Sequence, residues 1–225
     1  MKSGWITASS LICMAAVLGL QGALSSAAAH PHVWVTVRTE VLFGENDAIN
    51  GFRHKWTFDE YYTSFAVQGL DANGDGQYDR AELAELAEIN IASLKDFGFF
   101  TFPKLSGTVL QRNPPQDYWL EYDGTYLTLF LTLPLTESVT PDKAKEFTFG
   151  IYDPTFYVDF ALAAETPIAL AGAPEGCKPV VADPDPSASQ VGVTGLGEAF
   201  FNSLDGDGSE AEKYAKKISI SCPAG

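Results

Sequence analysis

Residues 71–82, DANGDGQYDRAE, set Asp71, Asn73, Asp75, Gln77, Asp79 and Glu82 at positions 1, 3, 5, 7, 9 and 12, with Gly76 at the sixth. This is the full pattern D-x-[DN]-x-[DN]-G-x₅-E. Its chemistry is that of a hard cation. Calcium takes six to eight oxygens at about 2.3–2.6 Å, with position 7 giving its backbone carbonyl and the closing glutamate both carboxylate oxygens. A glycine at position 6 allows the sharp bend, and so many protein oxygens suit calcium better than the smaller, more rigidly hydrated magnesium.

The flanks supply what a chance match lacks. DEYYTSFAVQGL (59–70) and RAELAELAEINIASLKDF (80–97) space their apolar residues at helical intervals, with Thr57 or Asp59 as N-cap and Gly98 as terminator. Residues 58–98 therefore read as an EF-hand-like helix–loop–helix. A second candidate, SLDGDGSEAEKY (203–214), begins with Ser203 and ends with Tyr214 in place of glutamate, so it is expected to hold no calcium. The loop at 71–82 is then solitary, with Tyr78 where a β-branched residue normally meets a partner loop. A structural clip binding at roughly 10⁻⁴–10⁻³ M is expected, as in extracellular calcium modules.

The three histidines, His30, His32 and His54, form a weaker constellation. If processing leaves His30 first, its free amine and imidazole, together with His32 and a carboxylate such as Asp153, could chelate nickel, cobalt, copper or zinc. A hairpin turn centred near residues 45–46 would set His54 opposite about residue 36 or 38. It would then share a face with His32 but lie on the order of 13 Å or more away. His54, in phase with Phe52 and Trp56, reads as a packed histidine.

Compartment follows from the start of the chain and from its charge. Residues 1–29 carry Lys2, an apolar stretch from Leu11 to Leu20, and Ala27 and Ala29 before His30, the grammar of a cleaved secretory signal. No other segment is long and apolar enough to span a bilayer. With 29 acidic against 14 basic residues the net charge is −15, which repels nucleic acid and anionic membrane and attracts cations. Without Cys13, Cys177 and Cys222 remain as a disulfide pair suited to an oxidising compartment.

Around these sites the pattern is mostly β. HVWVTVRTEVLF (32–43) and INGFRHKWTF (49–58) alternate as a hairpin, and FFTFPKL, TVLQR, DYWLEY, TYLTLFLTLPL, EFTFGIYD and FYVDFALA follow at sandwich-like spacings. GAPEGCKPVVADPDPSASQ (172–190) reads as a Pro-rich connection, followed by a short helix near 195–204 and a last strand, KISISC. The expected architecture is a mostly β chain with an α insertion. It is a single domain, 30–225, built as an immunoglobulin-like β-sandwich that carries the helix–loop–helix.

AHPHVWV, RHKWTFDEYY, the loop with its flanks through DFGFFTF, DYWLEY, IYDPTFYVDF and the closing ISC resemble the bacterial periplasmic proteins grouped as the domain of unknown function 1007 family. The resemblance spans nearly all of 29–225. It implies the periplasmic component of an ABC-type transport system, associated with nickel and cobalt transporters of the inner membrane, and so an inner-membrane metal transporter or permease as partner. It implies no activity. No G-x-S-x-G, H-E-x-x-H or C-x-x-C occurs, and no nucleophile has an evident base. The competing expectation is a structural or interaction module whose only ion is calcium.

Overall fold

The computed structural model describes residues 32–140, 146–184 and 209–223. The proposed signal segment, His30 and the helix expected near 195–204 lie outside them, as does the first half of the second candidate loop, 203–208.

Strict alternation builds the first hairpin. In β1 (Val33–Phe43) and β2 (Ile49–Phe58), Val33, Val35, Val37, Thr39 and Val41 point inward with Phe52, His54, Trp56 and Phe58, while Trp34, Thr36 and Arg38 face out. The turn between them is a 3₁₀ segment, Glu45–Asp47, with Asn46 and Asp47 at positive φ (56° and 57°). Pairing runs Leu42↔Gly51 and then Phe43↔Ile49, so Asn50 is an extra, bulged residue. That bulge corrects the expected register. His54 stands opposite Thr39, not residue 36 or 38, and it faces the core whereas His32 is exposed.

After the hairpin come α1 (Glu60–Ala66) and α2 (Ala84–Leu94), then β3 (Thr101–Leu105), β4 (Thr108–Val109), β5 (Asp117–Tyr122), β6 (Leu127–Val139) and β7 (Phe147–Ile151). The chain continues through β8 (Val158–Leu162), β9 (Ile168–Ala171), β10 (Lys178–Ala182), α3 (Ser209–Glu212) and β11 (Lys217–Ser221). One sheet has the order β5-β6-β2-β1-β8, with β9 also pairing β1; the other runs β10-β11-β7-β3-β4. β8 and β9 lie parallel to successive halves of β1. Both sheets contribute to one core, in which Phe52 of the first meets Phe147 and Phe149 of the second at ring-centroid distances of 6.2 and 4.9 Å. The fold is thus mostly β with a helical insertion.

β10 runs through the segment expected to be a Pro-rich connection. It is an edge strand, where Pro179 need not donate to a second neighbour, and so tolerates the proline. The disulfide Cys177–Cys222 ties the residue before β10 to the residue after β11 across a sequence separation of 45. Reduction is expected to cost about 4 kcal/mol in the chain-entropy account of such a loop. Urea unfolding with and without a reductant measures it, and superimposable transitions would contradict the expectation.

Candidate metal centre

The helix–loop–helix is fastened to the first sheet at its entry. Asp59 caps α1 as expected, Oδ1 accepting from the Tyr62 N–H at 2.8 Å while Oδ2 accepts from the Trp34 N–H of β1 at 2.9 Å. One turn on, the buried Thr63 hydroxyl accepts from the Leu127 N–H of β6 at 3.0 Å. α2 buries Ala87 and Ile91, and Leu83 just ahead of it is 1% exposed.

Between the helices the loop folds around its own carboxylates. Asp71 Oδ1 accepts from the N–H groups of Gly74 (2.7 Å) and Asp75 (3.1 Å), and its Oδ2 from Gly76 (2.9 Å). Asn73 Oδ1 accepts from the Asp75 N–H, Asp75 Oδ1 from Gln77, and Asp79 Oδ1 from Ala81 and Glu82. Gly74 and Gly76 take φ of +73° and +77°, values at which a β-carbon is strained. Glu82, the twelfth residue, reaches back to the first turn. Its Oε1 accepts from the Ala72 and Asn73 N–H groups at 2.9 and 3.3 Å, and its Oε2 from Asp79 at 3.0 Å.

Five of the six motif residues are thereby drawn into one ring of short-range contacts; Gln77 contributes through its backbone. The donors are all oxygen, a set that fits a hard divalent ion and not a thiophilic one. Among the described residues, however, no three His, Cys, Asp or Glu groups already converge as a metal cluster. The carboxylates are engaged by peptide N–H groups, so a bound ion would need their side chains to turn toward a common centre.

The loop leans on β5, which no motif singles out. Tyr78 packs edge-on against Tyr122, with centroids 5.0 Å apart. Arg80 donates to Glu121 Oε1 at 2.9 Å and lies 4.5 Å from the Trp119 ring, whose Nε1–H also donates to Glu121. The Arg80 hydrogen bond, followed by that of Trp119, holds the Glu121 carboxyl below its ordinary pKa. The legible signal was the DYWLEY alternation, which places Trp119 and Glu121 on one face.

At the other candidate site, His32 is exposed, donates its N–H to the Tyr157 carbonyl at 2.8 Å and has its ring 4.8 Å from that of Tyr157. Asp153 is buried, and both of its oxygens have donors. Oδ1 accepts from the N–H and hydroxyl of Thr155, and Oδ2 from the Val158 N–H at 2.9 Å. It braces the turn that presents Tyr157 to His32. His54 is fully buried: Thr39 Oγ1 lies 2.9 Å from Nδ1 and Thr101 Oγ1 3.2 Å from Nε2.

Comparison with known proteins places the chain in a family. Residues 14–222 match the family model described as "Protein of unknown function (DUF1007)", and the chain belongs to that family. It is 25% identical over 201 residues to an uncharacterized protein of Haemophilus influenzae, covering 86% of this chain and 91% of the relative. It is also 27% identical over 104 residues to an uncharacterized 15.5 kDa protein in the trpE 3′ region of Spirochaeta aurantia, covering 46% and 73%.

Proposed function

We propose that the protein is exported to the periplasm and binds one calcium ion in the loop 71–82 of an EF-hand-like insertion in an immunoglobulin-like β-sandwich. In this reading it is accessory to the transport of a transition metal (nickel, cobalt, copper or zinc) by an inner-membrane transporter or permease. The observation that carries the calcium reading is Glu82, folded back so that its carboxylate closes the loop onto Ala72 and Asn73. Both oxygens accept from peptide N–H groups here, and turning them onto an ion would supply the bidentate closing ligand. Packing of Tyr78 and Arg80 on β5 supports a lone hand that stiffens the insertion rather than one that opens as a switch.

Calorimetry on the chain beginning at His30 tests the calcium half, the expected result being one site with a dissociation constant of roughly 10⁻⁴–10⁻³ M. Absence of a calcium heat refutes it. The transition-metal half rests on His30 and His32, with Asp153 as a candidate third ligand, and on the acidic field of the chain. Copper or nickel binding is expected only when His30 carries the free amine. Equal binding by a chain with one extra residue before His30 removes that site.

The second reading, a structural or interaction module with calcium as its only ion, is favoured by two observations. Both Asp153 oxygens already have donors. Tyr61, Phe65 and Trp34 are 80%, 70% and 49% exposed, large apolar surface of the kind that meets a partner. Elemental analysis of protein taken from its own compartment separates the readings, since calcium alone supports the module.

A further inference from the structure

Among the described residues two buried side-chain nitrogens lack any hydrogen-bond partner, Trp56 Nε1 and Asn90 Nδ2. Both residues line the same cleft, of about 190 Å³ and open to solvent on one side, between α2 and the inner face of the first sheet. Each orphaned donor costs about 1–3 kcal/mol, so two at one place call for a common explanation. The remaining wall is apolar and aromatic, with Phe58, Leu94 and Phe160 prominent, and no charged side chain lines it. An apolar cavity of about 150 Å³ already accommodates benzene.

We propose that this cleft binds a small, uncharged, largely apolar molecule carrying one carbonyl oxygen, which accepts hydrogen bonds from Trp56 and Asn90. The orphaned groups are donors, so the ligand must bring an acceptor. That acceptor is neutral, because no cation is at hand and an unpaired carboxylate is costly to bury. Tyr62, on the rim from α1, adds an uncharged hydroxyl next to Asn90: burial first, and then Tyr157, raise its pKa against a smaller lowering by its interaction with Asn90, so it keeps its proton. Trp56 is 1% exposed, whereas Asn90 is half-buried on α2, so the Asn90 side chain can turn aside to admit the ligand. This site is independent of calcium in the loop.

Titrating the full chain with acetophenone, ethylbenzene and benzoate, followed by ¹H–¹⁵N NMR, tests the proposal. Acetophenone should bind with a downfield shift of the Trp56 indole N–H, and more tightly than either ethylbenzene, which lacks the oxygen, or benzoate, which is charged. Trp56→Phe, which also reshapes the wall for both ligands, should weaken acetophenone about 5- to 30-fold relative to ethylbenzene, the effect of 1–2 kcal/mol. Asn90→Leu, on the partly exposed face of α2, should act in the same direction and serves if Trp56→Phe does not fold. Equal affinity for acetophenone and ethylbenzene with a stationary indole resonance overturns the proposal. So does an indole N–H that exchanges magnetisation with a buried water while none of the three compounds binds.

Discussion

Replacing Glu82 by Gln should weaken calcium binding on the order of 100-fold or more while leaving the fold intact. Glu82 is the residue that brings the end of the loop to its beginning, through Oε1 to Ala72 and Asn73 and through Oε2 to Asp79. An amide keeps one acceptor oxygen and so part of that closure, but it removes a negative charge and the bidentate grip that calcium needs. The loop concentrates Asp71, Asp75, Asp79 and Glu82, and their mutual repulsion is what the ion relieves. At 10 mM calcium a dissociation constant of roughly 10⁻⁴–10⁻³ M stabilises the native state by about 1.4–2.7 kcal/mol. For a chain of this size that raises the melting temperature by about 3–10 °C. The Glu82→Gln protein should melt at one temperature with and without calcium. A calcium-dependent shift of the same size in both proteins would show that the ion binds elsewhere.

Local chemistry was readable in the sequence because its spacing is local. The self-bonded carboxylates of the loop lie within twelve residues, Asp59 caps the helix it precedes, and Cys177 and Cys222 form the only pair left once Cys13 is set aside. Non-local pairing was not readable. β1 runs parallel to β8 and β9 across more than a hundred residues of chain, and nothing in VWVTVRTEVLF names its neighbours. The bulge at Asn50 shifts the register by one residue, which sets His54 opposite the buried Thr39 instead of residue 38. β10 was missed because Pro179 argues against a strand everywhere except at an edge. One signal was present and unused. Asn90 falls in line with Leu83, Leu86 and Leu94 at helical spacing, a polar residue on an apolar stripe, and in the structure it reaches the cleft beside Trp56.

Acid should destabilise the protein through His54 alone by about 1.4 kcal/mol for every pH unit below about 6.5, down to about pH 3. Burial lowers the pKa of this side chain from 6.5 to about 3. Its hydrogen bonds require the neutral ring. Thr101 donates its hydroxyl to the Phe99 carbonyl at 2.9 Å, so toward His54 it can only accept, which puts the proton on Nε2 and leaves Nδ1 to accept from Thr39. Phe52 and Trp56 flank the ring at 5.7 and 5.4 Å, apolar neighbours that solvate a charge poorly. The sign follows directly: below pH 6.5 the unfolded chain takes up a proton that the native state refuses, so stability is present above that pH and drains away as pH falls toward 3. His54→Gln supplies an acceptor and a donor without titrating. It should be less stable than the parent at pH 7 by about 1–3 kcal/mol, from imperfect packing and hydrogen bonding. By pH 4.5 the gap should close by about 2.7 kcal/mol, two units of the parent's loss, while the carboxylates titrate alike in both proteins and cancel. Urea unfolding of the pair at pH 7, 5.5 and 4.5 measures this difference, and parallel stability curves would mean that His54 takes up its proton in the folded protein.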